Sequence, residues 1–231
     1  MEAKIRRQQA MVETRRAMVL DAAKVVFAKV GLERASMREI AKQAGYTPGA
    51  LYAYFSGKQE LLAALLDDML RRLQEVVLLA KAPKGRSEPG VVTKGQAWLA
   101  FFISQPREME LALSLLVGTG TLRVSPEISR ALHVQVRKTL DPVGAVLLAM
   151  GATPRQVEVE MESLLAHGLG LLLSQDASRL QSSEQSPEAL FAGYLQDLER
   201  RYQLPAPSDA PAKRVPVAAP QVDLFGQDRS S

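Results

Sequence analysis

Between residues 36 and 58 the chain gathers hydroxyls, cations and a small residue: Ser36, Arg38, Thr47, Pro48, Gly49, Ala50, Tyr52, Tyr54 and Lys58. Hydroxyls and ammonium groups bind phosphate oxygens, and so do free N–H groups at the start of a helix. Gly49 is small enough to let such a start approach a duplex closely, and Tyr52 and Tyr54 carry phenol hydroxyls that bond phosphates. The other chemistries have little to work with. There is no cysteine, which removes disulfides, thiolate metal sites and thiol nucleophiles. His133 and His167 lie far apart, and Glu158 and Glu162 read as one solvated helix face rather than a catalytic pair. No phosphate-binding Walker loop, dinucleotide fingerprint or zinc-protease motif appears. These residues point to binding rather than catalysis, with neither metal nor cofactor.

Charge supports the same end of the chain. Lys and Arg outnumber Asp and Glu 11 to 5 in residues 1–58 and are outnumbered 18 to 20 beyond, within a formal net charge of +4. A basic N-terminal quarter on a slightly acidic body predicts an anionic partner there, nucleic acid first. The amino terminus has no signal-peptide core, and the apolar stretch at 164–173 is too short to span a bilayer. The expectation is a cytoplasmic, nucleoid-associated protein without a membrane partner.

The elements that position these groups are helices. Leu, Ala, Met, Gln, Glu and Arg dominate, no strand with hairpin punctuation appears, and the fold class is all-α. Val19, Ala23, Val26, Phe27 and Val30 recur on one face of a helix over residues 15–30, with Gly31 as its stop. Ser36-Met37-Arg38-Glu39 is a capping box that opens a short helix burying Ile40, Ala41 and Ala44. Thr47 caps a third helix with Pro48 at its first position. Ser56-Gly57-Lys58-Gln59 reads as a second capping box, before a long helix striped by Leu61, Leu62, Leu65, Leu66, Met69, Leu70, Leu73, Val76 and Val77. After a loop at 82–90, helical patterns cover 91–105, 106–117, 126–150, 154–175 and 187–202, with Ser125, Thr153 and Ser186 as caps.

A short capped helix, a glycine turn and a second short helix make a helix-turn-helix, which lays its second helix in the DNA major groove. The run SMREIAKQAGYTPGALYAYFSGK, followed by Gln59-Glu60-Leu61-Leu62, resembles the DNA-binding domain of TetR-family transcriptional regulators. That family carries a pattern close to T-x-x-x-I-A-x-x-A-G-V-S-x-G-x-L-Y-x-Y-F-x-S-K-E-x-L. Tyr46-Thr47 stands where Val-Ser is commoner, and Gly57 precedes Lys58 where Ser is frequent. The resemblance covers residues 12–72 and implies a helical regulatory and dimerisation domain over 73–203. It implies a homodimer on a palindromic double-stranded DNA operator, a small-molecule effector, and Pro48 and Ala50 among the positions that tune sequence choice.

The resemblance also implies that the last two helices pair with those of a second copy. Met161, Leu165, Gly168 and Leu172 form one stripe, and Leu190, Phe191, Tyr194, Leu195, Leu198 and Tyr202 another. The sequence leaves open whether these stripes meet a partner or fill the chain's own core. Trp98, Phe101 and Phe102 read as core, with an effector pocket as the alternative, and His167 reads as a satisfied core histidine.

From Pro205 the composition turns to Pro, Ala and Val, which predicts an extended, disordered tail over 204–231. The tail ends in Gln221-Val222-Asp223-Leu224-Phe225, similar to the bacterial sliding-clamp-binding peptide Q-x-[S/D]-L-F. Leu224 and Phe225 would be paired apolar anchors, and Gln221 and Asp223 their polar companions. Docking on the chain's own body and a chance match are the alternatives. Two readings follow for the chain: a ligand-responsive repressor, or a DNA-bound adaptor that recruits the clamp.

Overall fold

The computed structural model describes residues 2–117, 124–176 and 185–203. They are all-α: α1 (Glu2–Arg34), α2 (Met37–Ala44), α3 (Pro48–Tyr52), α4 (Lys58–Leu78), α5 (Val91–Ser104), α6 (Pro106–Ala112), α7 (Pro126–Lys138), α8 (Asp141–Ala149), α9 (Pro154–Asp176) and α10 (Pro187–Gln203). The tail, with Gln221, Asp223, Leu224 and Phe225, lies outside the described residues. So do residues 118–123 and 177–184.

Helices α1 to α3 and the start of α4 form a head. Gly31, at φ +81° and ψ 166°, interrupts α1 where the sequence placed a stop, and one short turn follows it to Arg34. The first helix begins much earlier than residue 15, because Glu2-to-Thr14 is rich in helix formers and has no breaker. Val19, Ala23, Val26 and Phe27 are buried against Ile40, Ala41, Leu51, Phe55, Leu61, Leu62 and Leu65, while Val30 is exposed. Gly45, at φ +74°, ends α2 in the left-handed conformation, and its N–H bonds the Ala41 and Lys42 carbonyls.

Helix α4, about 30 Å long at 1.5 Å per residue, runs from the head into the body. Its buried stripe runs from Leu61 to Val77, with Val76 exposed. Lys94 of α5 is 8% exposed, and its ammonium donates to the Val77 and Leu78 carbonyls at 3.3 and 3.1 Å, closing the α4 end. In the body α5 packs on α10, α4 and α8. Trp98 is fully buried, lies edge-on to Phe102 at 4.9 Å, and donates its indole N–H to Thr139 Oγ1 at 2.8 Å. A Cβ at Gly95 would meet Leu195 Cδ2 at 2.4 Å, and one at Gly168 would meet Trp98 Cζ3 at 2.6 Å. Both helices approach this core only because those positions lack side chains.

Three sequence expectations need correction. Residues 126–150 are two helices, not one: Thr139 and Leu140 break the run and Pro142 opens α8. Residues 106–117 start as α6 but continue as one π-helical turn, Leu113–Val117. No capping box forms at Ser56: the helix begins one residue later with Gly57 as its N-cap and no side-chain cap bond, and Glu60 Oε2 instead accepts from the Ser56 backbone N–H at 2.7 Å and its hydroxyl at 2.8 Å.

Candidate nucleic-acid interface

The helix-turn-helix is built from local hydrogen bonds. Ser36 Oγ accepts from the Glu39 N–H at 3.2 Å, and Glu39 Oε2 accepts from the Ser36 N–H at 2.9 Å. The Ser36 hydroxyl and backbone N–H bonded to Glu39 hold its carboxyl below the usual carboxylate range. Thr47 Oγ1 accepts from the Ala50 N–H at 3.2 Å, so α3 starts with a fixed cap and Pro48 in its first turn. Leu51 anchors α3 inward, fully buried. Thr47, Pro48, Gly49 and Tyr52 are exposed and Ala50 is half-buried, so one surface of α3 is presented to solvent. The Thr47 oxygen is used as an acceptor, which leaves its own O–H to donate outward. A Cβ at Gly49 would meet nothing within 4 Å, consistent with an open surface there.

The remaining side chains divide. Ser36 and Arg38 are exposed beside this surface at the start of α2. Tyr52 is 52% exposed, with its hydroxyl at the edge of α3. Tyr54 is half-buried, packs edge-on to Tyr46 at 6.1 Å, and accepts from Arg15 Nη1 at 3.3 Å. Lys58 is half-buried, and its ammonium donates to the Glu33 carbonyl at 2.9 Å. Partial burial lowers its pKa from the ordinary lysine value. An ammonium has three donors, so Lys58 ties α4 to the end of α1 and keeps N–H groups for an anion. The structure thus brings Thr47, Pro48, Gly49, Ala50 and Tyr52 to one surface, and ties Tyr54 and Lys58 to α1.

Two residues escaped the sequence reading. The Arg16 guanidinium lies over the Phe55 ring at 4.2 Å, donates to the Tyr54 carbonyl and faces Glu60 at 3.8 Å. With Arg15 it fixes the chain between α3 and α4. Their only sequence signal was a basic pair one turn before the apolar stripe of α1.

With that geometry in place, the comparisons are direct. Residues 19–65 match the profile of the bacterial regulatory proteins of the tetR family. These residues are similar to the helix-turn-helix domain of that family. Over 65 residues the chain is 40% identical to HTH-type transcriptional regulator TtgR of Pseudomonas putida, a match spanning 28% of this chain and 31% of TtgR. Thus the chain spans about a third of the length of that curated relative. It is 25% identical over 167 residues to HTH-type transcriptional regulator BetI of Vibrio parahaemolyticus, covering 71% of this chain and 78% of BetI. Among solved structures it is similar to a transcriptional regulator from Rhodococcus, at 25% identity and TM-score 0.59, covering 82% and 98% of the two chains. It is similar also to SmeT, the repressor of a Stenotrophomonas maltophilia multidrug efflux pump, at 20% identity and TM-score 0.57, covering 85% and 96%. The described residues therefore have the TetR-like all-α fold.

The body revises the expected dimer residues. Met161, Gly168, Leu172, Phe191, Leu195 and Leu198 are buried inside the single chain, the last three fully, so they form its own core and not a surface for a second copy. Helical periodicity located the stripes, but one apolar stripe looks the same whether a neighbour or a partner covers it. Leu165 and Tyr194 are half-buried. Among the exposed residues of α9 and α10 are the small Ser163, Ala166 and Gly170 on one and Ala189 and Gly193 on the other, beside larger ones such as Val159, Glu162, Gln196 and Asp197. Trp98 and Phe102 are core, and Phe101, 7% exposed, borders an open groove of about 850 Å³ between α4 and α5 that includes Val76, Leu79, Ala97 and Ala100. Glu158 and Glu162 both face Arg137, at 3.5 and 2.9 Å. His167 stacks on Tyr194 at 4.6 Å, but its Nε2 is buried without a partner, so it is not the satisfied histidine expected; burial lowers its pKa. Among the described residues no helix is long and apolar enough to cross a membrane.

Proposed function

We propose that the chain is a homodimeric, ligand-responsive transcriptional repressor that binds a palindromic DNA operator through α3. The observation that carries this reading is the exposed edge of α3, with Thr47, Pro48, Gly49, Ala50 and Tyr52 on one surface held by caps at Ser36 and Thr47. Thr47, Tyr52 and Lys58 bind phosphates, and Ser36 and Arg38 flank the same backbone. Pro48 and Ala50 face base edges. The small exposed residues of α9 and α10 admit close approach by those of a second copy, which sets two α3 helices about one DNA turn apart. The groove between α4 and α5 gives an effector direct access to α4, the helix that joins body and head. The regulator names of TtgR and BetI agree with this reading. Anisotropy of labelled operator and random DNA at several salt concentrations tests it. Lys58→Ala weakens both DNAs alike and lowers the salt slope by about one, whereas Pro48 or Ala50 variants change sequence preference. A Lys58 variant that changes only the preferred sequence contradicts the assignment.

A second reading rests on the tail. Residues 205–223 contain no Leu, Ile, Met or aromatic residue, and Leu224-Phe225 then appear together. Two large apolar residues at the end of such a segment suit a partner pocket. In this reading the DNA-bound chain recruits the sliding clamp through Gln221, Asp223, Leu224 and Phe225. Anisotropy of a labelled peptide 216–231 against the clamp decides it: binding lost in Leu224→Ala with Phe225→Ala supports recruitment, and no binding at hundreds of micromolar, about 0.5 mM, rejects it.

A further inference from the structure

Helix α1 is longer than the head requires. Arg16 faces Glu60 at 3.8 Å and Lys24 faces Asp68 at 3.1 Å, so α1 and α4 lie side by side and run in the same direction. Because α4 runs from head to body, the early end of α1 points away from the body. The same offset sets Thr14 level with Lys58, the first residue of α4. Residues 2–14 therefore project past the start of α4 by about 20 Å of helix, at 1.5 Å per residue. Every residue from Lys4 to Arg15 is exposed, and the buried stripe of α1 begins only at Val19. The overhang thus adds nothing to the head's core.

Its chemistry is basic. Residues 2–16 carry five Lys or Arg against two Glu. Lys4, Arg7, Met11 and Arg15 recur at three- and four-residue spacing, so they share one helix face. Lys4 and Arg7 have no ion-pair partner among the described residues. Arg15 ends the stripe against Tyr54, in the turn that follows α3, where its Nη1 donates to the phenol oxygen at 3.3 Å. A guanidinium has five donors, so Arg15 keeps others for an anion. From Lys4 to Arg15 the stripe is about 16 Å long, close to five base-pair rises of about 3.4 Å. Ile5 and Val12, 51% and 41% exposed, occupy another face, and the charge of the segment favours a polyanion over an apolar partner.

We propose that the overhang of α1 is a second DNA-contacting element, in which Lys4, Arg7 and Arg15 bind backbone phosphates beside the site occupied by α3. This deepens the reading of α3 as the DNA-binding helix and rests on it. Its contacts are to phosphates, so they add affinity and salt dependence without adding sequence choice.

The test is anisotropy of a labelled random-sequence duplex with the full chain over a range of salt concentrations. Lys4→Gln with Arg7→Gln removes two cations and keeps residues of similar helix propensity, so the circular dichroism spectrum should not change. Binding should weaken at least about tenfold at about 0.1 M salt, and the salt slope should fall by about two per protomer. Lys81→Gln with Lys84→Gln, two exposed cations beyond α4, removes the same charge elsewhere and should leave the slope unchanged. Equal slopes for the native chain and the Lys4 and Arg7 variant would overturn this inference while leaving the α3 reading standing. An equal fall in the Lys81 and Lys84 control would overturn it too, since net charge rather than the overhang would then set the slope. A variant with the native slope that no longer sediments like the native chain would overturn it by placing the overhang against a protein. A native chain that binds no duplex at all would overturn the α3 reading and this inference together.

Discussion

The head and the body are both helical, yet they are held together at different range. In the head, two caps close within three residues of themselves, Ser36 on Glu39 and Thr47 on Ala50, and Ser56 bonds the Glu60 carboxylate four residues on. In the body the decisive contacts join helices far apart in sequence. Trp98 reaches Thr139, Gly95 admits Leu195, Gly168 admits Trp98, and the nearly buried Glu160 receives Arg201 and Tyr202. The starts of α2 and α3, beside the surface proposed to meet DNA, are thus capped by short-range bonds, while Arg15, Arg16 and Lys58 tie that region to α1 over longer range. The body, proposed to meet a second copy and a ligand, depends on packing between distant helices.

That contrast is broken most severely at the centre of the body. Trp98→Ala should cost about 3–5 kcal/mol, the range for removing a buried aromatic, although the Thr139 hydroxyl keeps its own bond to the Val136 carbonyl. Urea denaturation followed by circular dichroism measures it; a loss under about 1 kcal/mol would mean that the body does not rest on this ring.

Next in size is the outward face of α9 and α10. A Cβ at Gly170 or Gly193 meets nothing within 4 Å in the single chain. Gly170→Glu with Gly193→Glu should therefore leave the monomer folded but prevent dimerisation, lowering operator affinity about 100-fold as two linked half-site contacts become one. Sedimentation velocity reads the first effect and anisotropy the second. A folded double variant that still sediments as a dimer would move the interface to another face.

The head's caps are smaller effects. Ser36→Ala should cost about 1 kcal/mol. The bonds from Ser36 lower the Glu39 pKa, and those from the Ser56 backbone and hydroxyl lower that of Glu60. A depressed carboxyl pKa stabilises the fold above the unfolded value, about 4.3, and that contribution disappears as pH falls through the folded value. The melting-temperature gap between the native chain and Glu39→Gln should accordingly be present at neutral pH and close below about pH 4. A gap that persists in acid would show that the Glu39 charge plays no part.

This range difference also explains what could be read from residues alone. Ser36 with Glu39, Gly45 and Thr47-Pro48 are each a complete physical statement within a few positions, so α2 and α3 and the exposed edge of α3 were legible. So was the inward stripe of α4. The π turn after α6 and the break at Thr139-Leu140 answer to neighbouring helices, although Pro142 was an available signal for the second. The division of α9 and α10 into inner and outer faces was hidden for the same reason, since Leu172 and Phe191 are apolar whichever surface covers them. Arg15 and Arg16 were overlooked because their partners, Tyr54 and Phe55, lie almost forty residues away, |i−j| being 39 and 38 for their bonds to Tyr54.

The central claim is that two copies of α3 read one DNA site. In vitro selection from random double-stranded DNA with the full chain tests it most directly. The account predicts enrichment of a palindrome whose half-sites are centred about one helical turn apart, with enrichment lost in Gly170→Glu with Gly193→Glu and redirected in Pro48 variants. Recovery of unenriched DNA by the native chain, or of a single half-site without symmetry, would contradict it.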